Sequence, residues 1–443
     1  MPWLKLISKH LASQSLVNVT NILIGLVLLR ILSIEEFALY TLSVVFLQVA
    51  AAGSDMGLSQ AVMTLGARIR EEQESIGSLY SSACWHARKL FMVSALAVVG
   101  MFLFNLFGHT WSPANVVASL LLLLLIVATQ ISVNFRKSVL NINHDARGLF
   151  YIGMCEAGVR LLLLPVCVLW PYASVALLIS LIGVYTSRIV AFHHCNHKMV
   201  ENQLPRERHK QELKQFIGPL ISVGIYNAIQ GQVSVFLLGI YGYTTAIAQF
   251  GALGRLGQFI SIPMLLNGFW VQPVFSRIIS KTEFVRKAAL VSGTIVAFAV
   301  VIIISVIVVP HWWLVILGSN YQNLVHELPL AVITALFTLL GATFYTIVIS
   351  RNVTKGQSWY IATGVLGQSM FLWIWGVHST VDALVLSLVP VVSYCLVQGV
   401  LLVAVISSWK EESRFQQSSS LLSKVNIHSM RSEGDVFYNP GKN

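Results

Sequence analysis

The stretch from Leu16 to Ala61 limits what this chain can fold into more than any other. It holds two apolar runs joined by a short polar turn at Ser33, Glu35 and Glu36. Each run is about 20 residues long, which at 1.5 Å per helical residue matches a hydrocarbon core of roughly 30 Å. The theme repeats: about twelve apolar runs of membrane length can be counted. They fall at 13–32, 37–62, 83–107, 114–135, 149–170, 172–193, 215–240, 245–272, 288–309, 327–350, 359–377 and 381–407.

Composition points the same way. Of 443 residues, 56% are hydrophobic and 11% charged, whereas a soluble domain carries roughly 25% charged residues. There is too little polar surface for a water-soluble globule. The expected fold is an all-α integral membrane protein of about twelve transmembrane helices. The net charge of +11 does not point to nucleic acid, because the basic residues punctuate the apolar runs. One set of connections is basic, as at 136–148 (Arg136, Lys137, Arg147), 194–214 and 273–287; the other set, at 33–36, 108–113, 171, 241–244, 310–326 and 378–380, has no Lys or Arg. By the positive-inside rule that alternation puts both termini in the cytoplasm.

The organisation follows. Residues 1–12 read as an interfacial N-terminus, with Trp3, Leu4, Ile7 and Leu11 on one face and Lys5 and Lys9 at the headgroups. Residues 13–193 and 215–407 are two six-helix halves joined by a polar linker at 194–214, and 408–443 is a cytoplasmic tail. Two halves of like orientation suit an alternating-access carrier. The cysteines, Cys84, Cys155, Cys167, Cys195 and Cys395, have no framework spacing, so no disulfide is expected. His193, His194, Cys195 and His197 have the residue types but not the spacing of a metal site, and none is expected. Trp170, Tyr172, Trp312, Trp313, Trp359, Tyr360, Trp373 and Trp375 fall near span ends, as an interfacial belt does. No nucleotide-binding loop, HExxH or GxSxG motif occurs, so neither ATP nor another cofactor is called for.

A charge at bilayer depth costs at least about 2.5 kcal/mol and usually faces a bundle interior or a wet cavity. Arg30 near the end of the first run either snorkels toward Glu35 and Glu36 or serves a cavity. Asp55, between Gly53 and Gly57, lines a polar cleft or caps a broken helix, and is a candidate gating or coupling group. Glu156 and Arg160, four apart, share a helical face and either neutralise each other or line the lumen. Arg255 has no acidic residue within a turn and is the strongest candidate for facing substrate. Arg160 and Arg255, one per half, form a candidate clamp for phosphate or pyrophosphate, since guanidinium binds such oxygens in bidentate fashion. Gly251, Gly254 and Gly257, with Pro263 and Pro273 beyond, make the eighth run a candidate hinge or a close-packing face.

The opening NILIGLVLLRILSIEEFALYTL, the segment SDMGLSQAV with Asp55, Gly57 and Leu58, and WLVILGSNYQNLVHELPLAVI at 313–333 resemble the polysaccharide-transporter branch of the multidrug/oligosaccharidyl-lipid/polysaccharide exporter superfamily. Ala38 stands where that family often has Gly. The resemblance implies a flippase of the bacterial inner membrane. It would carry an undecaprenyl-pyrophosphate-linked oligosaccharide, such as an O-antigen repeat unit in lipopolysaccharide biosynthesis, to the periplasmic leaflet. It further implies coupling to H+ or Na+, with Asp55 and Glu156 placed to sense it, cationic cavity groups (Arg160, Arg255, Arg30), and a glycan polymerase or assembly complex as partner. Two rivals stand beside it. A drug antiporter of the same superfamily would be expected to use a carboxylate-rich cavity. A membrane glycosyltransferase or polymerase would use an acidic pair such as Glu35 and Glu36, but needs larger external loops.

Overall fold

The computed structural model describes the backbone from residue 2 to 409, apart from 72–75, 106–108, 110, 144, 197–203, 219–220, 279, 352 and 354–355. Side chains are described from residue 16, except at 67–71, 146, 196, 222–223, 227, 268–269 and 273. The tail at 410–443, His197, and the side chains of Trp3, Leu4, Lys5, Ile7, Lys9, Leu11 and Pro273 lie outside the described residues.

The described chain is helical from end to end. Helix α1 (Pro2–Ile31) runs without a break through the expected interfacial segment and first span. Helix α2 (Ile34–Asp55) begins at Ser33, whose Oγ accepts from the Glu36 N–H, and carries Glu35 and Glu36 in its first turn, where the helix dipole favours anions. The expected run 37–62 is not one helix. Met56 (φ 38°) and Gly57 (φ 86°) turn left-handed, and α3 (Leu58–Glu71) starts afresh. Next come α4 (Ile76–Phe104), α5 (Pro113–Ile142) and α6 (Ala146–Leu163), the last capped by Asp145 accepting from Gly148 N–H at 3.0 Å. Pro165 lacks an N–H and separates α6 from the one-turn α7 (Val166–Leu169); α8 (Ala173–Asn196) completes the first half.

The polar linker leads into a docked helix. Helix α9 (Glu207–Ile217) buries His209, Leu213 and Ile217 against Leu58, Leu79, Ala83 and Val139 of α3, α4 and α5. The His209 Nδ1 lies 3.1 Å from Ser78 Oγ. The run 215–240 is also broken, into α10 (Ile221–Gln230) and α11 (Val233–Ile240). The eighth run is broken most. After α12 (Thr244–Ile260) come a 3-10 turn at Ile262–Met264 holding Pro263, a π-turn at Asn267–Val271 and α13 (Gln272–Arg277). Helices α14 (Lys281–Val308), α15 (Pro310–Leu317), α16 (Leu328–Ile349), α17 (Trp359–Ile374) and α18 (Thr380–Ser407) follow. Thus the connection at 310–326 holds a helix of its own. Among the described residues eight helices are long and apolar enough to cross a membrane, and Leu16–Ile31 is a shorter apolar helix.

Burial runs opposite to that of a soluble protein. Leu96, Leu162, Leu290, Val301, Ile307, Trp312 and Trp373 are exposed, while Ser43, Ser54, Ser119, Thr343 and Gln398 are buried. Lipid tails solvate the apolar exterior, and several buried polar side chains are bonded inside: Ser43 Oγ donates to Leu39 O at 2.8 Å, and Thr343 Oγ1 to Asn267 Oδ1 at 3.1 Å. A single core joins the halves, with Phe37, Leu42 and Phe46 of α2 packed in one cluster with Ile247, Leu253 and Leu256 of α12.

One end of the bundle carries the short connections. There the Glu36 carboxylate accepts from Asn115 Nδ2 at 2.7 and 2.8 Å and from the Ala173 N–H at 2.7 Å, tying together the starts of α2, α5 and α8. This bonding marks Glu36 as structural, and its neighbour Glu35 faces outward, accepting at its carbonyl from Trp111 Nε1 at 3.1 Å. Between α4 and α5, His109 bridges to the second half. Its Nε2–H donates to Gly239 O at 3.0 Å and its Nδ1 lies 2.7 Å from Thr244 Oγ1. Its ring stacks on Trp111 with centroids 4.0 Å apart.

Candidate functional site

A cavity of about 660 Å³ lies between α1 and the second-half helices α12, α16 and α18. Helix α1 supplies Asn18, Asn21 and Ile22. Helix α12 supplies Phe250, Leu253, Gly254, Gly257 and Gln258, a spacing of three and four that puts one helical face on the cavity. Ser261, Ile262, Met264 and Leu265, in the break after α12, continue that wall. Helix α16 adds Ala331, Thr334, Ala335 and Thr338, and α18 adds Leu384 and Ser387.

The wall is apolar with a few amides and hydroxyls, and none of its lining side chains is charged. The hydroxyl protons are spent on the helices: Thr334 donates to Leu330 O, Thr338 to Thr334 O and Ser261 to Gly257 O, each at 2.8 Å. Their oxygens remain acceptors. The Asn21 Oδ1 is buried with no hydrogen-bond partner. Such a surface can take a ligand that is partly greasy and partly hydroxylated or amidic. Sequence reasoning misses Asn18, Asn21, Gln258, Thr334 and Thr338. The NVTN step at 18–21 is the available signal, since it sets two amides three apart inside an apolar run.

The candidate residues read from sequence divide among several places. Arg255 is next to the cavity but turned from it. Its guanidinium lies along Gly25 of α1, where a Cβ would be 3.0 Å from its Nε, and its Nη1 reaches Gln258 Oε1 at 3.4 Å. Arg160 is bonded to Glu156 at 2.7 Å and packs on Gly183 of α8, with Lys137 3.9 Å from the same carboxylate. The expected clamp is not assembled here: Arg160 packs on α8 and Arg255 on α1, and neither lines the cavity. Arg30 sits at the short-loop end, donating through Nη2 to Val315 O at 2.8 Å and Ile316 O at 3.1 Å, so it caps the last turn of α15. Beside it Gly318, at φ 100°, leaves room for the arginine stem.

Asp55 caps the start of α3: its Oδ1 accepts from Ser59 N–H at 3.1 Å and from the Ser59 hydroxyl. It also borders a small void with Ser54, Gln130 and Asn134. The three glycines of α12 part company. A Cβ on Gly251 would lie 2.5 Å from Thr41 Oγ1 of α2, so this glycine serves close packing. Gly254 meets nothing within 4 Å and opens the cavity, and Gly257 faces Ala335 across it. Pro263 lies at the break that follows. Among the described residues no three His, Cys, Asp or Glu side chains are grouped to hold a metal.

No protein-family model matches the sequence, and no curated protein does. Solved structures do match in shape. A point mutant of the Vibrio cholerae MATE transporter VcmN superposes with a TM-score of 0.61 at 14% identity, over 92% of this chain and 98% of that one. The lipid II flippase MurJ, in an inward closed conformation, gives 0.62 at 15% identity over 97% and 93%. The eukaryotic MATE transporter AtDTX14 gives 0.60 at 12% identity over 93% and 97%. The chain shares the fold of these transporters. That likeness spans nearly its whole length.

Proposed function

We propose that this protein is an alternating-access carrier that flips a polyprenyl-pyrophosphate-linked oligosaccharide across the bacterial inner membrane, from the cytoplasmic to the periplasmic leaflet. The observation that carries the reading is the cavity between α1 and α12, α16 and α18, whose greasy wall bears uncharged amides and hydroxyls. Sugars want such polar partners, and a lipid-linked cargo wants the apolar remainder. The topology proposed with it is twelve spans in two six-helix halves, with the basic connections and both termini in the cytoplasm.

Arg255 is proposed as the pyrophosphate ligand, because it borders the cavity and needs only to lift off Gly25 to face it. Arg160 and Arg30 are already bonded to protein groups here. They would serve cargo only after exchanging those partners in another state of the cycle. Glu156 and Asp55 are the proposed coupling groups for H+ or Na+. The broken segment around Pro263, with Gly254 and Gly257, is the proposed hinge, because a helix interrupted by 3-10 and π turns lacks the regular bonds that resist bending.

A second reading, a drug antiporter, draws on the MATE structures, which match this fold as well as MurJ does. The cavity lining, amides and hydroxyls with no carboxylate among the described residues, favours the first reading. Deleting the gene and analysing lipid-linked glycans tests it. Accumulation of one such glycan on the cytoplasmic side is expected; none, with normal surface glycan, would reject it.

A further inference from the structure

Beyond the main cavity, toward the short-loop end, lies a second one of about 520 Å³. It is built by the same three second-half helices. Ala246 and Gln249 of α12, Glu327 before α16 and Thr380 of α18 line it, and Phe250, Ala331 and Leu384, each at most one turn further along those helices, line the main cavity. The two spaces are therefore stacked along one path. Where they approach each other, the Thr380 Oγ1 donates to Gln249 Oε1 at 2.6 Å.

The outer space differs in chemistry. Its wall includes Tyr243, Thr244, Thr245, Ser379 and Thr380 as well as Gln249 and Glu327. The Glu327 Oε2 is covered yet has no hydrogen-bond partner, so an acceptor of high strength awaits a donor. Donors are present too. The first intrahelical bond of α12 runs from Ile247 N–H to Tyr243 O at 3.0 Å, so the N–H groups of Thr245 and Ala246 precede the helical ladder. Gln249 spends its oxygen on Thr380 and keeps its Nε2 hydrogens. A carboxylate, an amide, hydroxyls and a tyrosine ring in one concave space match the alternating donors, acceptors and C–H faces of a sugar ring.

We propose that this outer space is a carbohydrate-binding exit site that receives the sugar portion of the cargo as it leaves the main cavity. The inference rests on the flippase reading for its biological sense, but sugar binding there is testable without any lipid. The purified full-length protein in detergent is titrated with free glucose, N-acetylglucosamine and glucuronic acid, and binding is read by saturation-transfer difference NMR. At least one sugar is expected to give a signal. In Glu327→Gln that signal falls at least tenfold, and in the paired variant Thr245→Val with Gln249→Leu it is lost. Each of these variants is made in the Gly254→Leu background, which fills the main cavity and leaves the outer space as the place where free sugar can bind.

Size-exclusion profiles like that of the wild type keep a misfolded variant from counting as a loss. No signal from any of the three sugars overturns the proposal. So does a signal unchanged in the outer-site variants, or one lost in Gly254→Leu alone. Competition by Na+ in place of sugar binding would assign the space to a cation and overturn it as well. If free sugar binds as described but lipid-linked cargo is not moved, the flippase reading fails and the site stands. If cargo moves and the outer-site variants neither bind nor transport differently, the site fails alone.

Discussion

Alanine at Gly251 and at Gly254 is the same chemical change on the same helix, yet the structure gives the two opposite signs. Within a helix, alanine is favoured over glycine by about 0.8–1.0 kcal/mol. At Gly254 nothing lies within 4 Å of the added Cβ, so the gain should appear nearly whole. At Gly251 the Cβ would sit 2.5 Å from Thr41 Oγ1 and 2.7 Å from Thr41 Cγ2, and Thr41 is buried between α2 and α12. Overpacking of that kind costs about 1–3 kcal/mol, which leaves Gly251→Ala about 1 kcal/mol less stable than wild type. The two variants should therefore differ by about 2 kcal/mol in equilibrium unfolding in mixed micelles. Thr41→Ala removes the two closest atoms, and the Thr41 hydroxyl has no hydrogen-bond partner to lose. The double variant Thr41→Ala with Gly251→Ala should recover most of the loss, with a coupling of about 1 kcal/mol. Equal stability of the two glycine variants, or no coupling to Thr41, would refute the close α2–α12 contact on which the division of the glycines depends.

Other contacts give predictions of their own. Arg160→Gln leaves the half-buried Glu156 facing only Lys137 at 3.9 Å and should cost about 1–3 kcal/mol, while Glu156→Gln with Arg160→Gln together should cost less than the two singles summed. Arg30→Ala removes both side-chain bonds to the end of α15; with the arginine exposed, about 1 kcal/mol of stability should go, seen as faster proteolysis at 310–326. Burial holds His109 below its ordinary histidine value, so the structure favours the neutral ring. The bond its neutral Nδ1 accepts from the Thr244 hydroxyl should be complete above a pH of about 6.5 and lost as pH falls through the lowered value, while the Nε2–H bond to Gly239 persists. Hydrogen exchange at 239–244 should rise on acidification, and His109→Gln should flatten that dependence.

Much of the fold was legible because apolar runs of membrane length leave a chain few options. Every run read from sequence falls on a helix or a broken helix, and the Glu156–Arg160 pair followed from a spacing of four. The breaks were half legible. Pro165 and Pro263 signal interruption by missing an N–H, but Met56, left-handed and not glycine, could not be expected from local preference. The partners of the charges were the least legible part. Arg30 meets carbonyls 285 and 286 residues away, and Arg255 lies on Gly25 of the other half. No local pattern encodes such pairs. The docking of α9 was obscured by its charges, although Leu213 and Ile217, four apart, form the face it buries.

The most direct test of the central claim is a flip assay in proteoliposomes. A fluorescent polyprenyl-pyrophosphate oligosaccharide is placed in both leaflets, and the fraction accessible to an external glycosidase is followed with time. Wild-type protein should carry the protected fraction across, Gly254→Leu should abolish transport while the protein stays folded, and Arg255→Lys should slow it. Transport that persists unchanged when the cavity is filled at Gly254, or no transport by the wild type over empty liposomes, would contradict a cargo path between α1 and α12, α16 and α18.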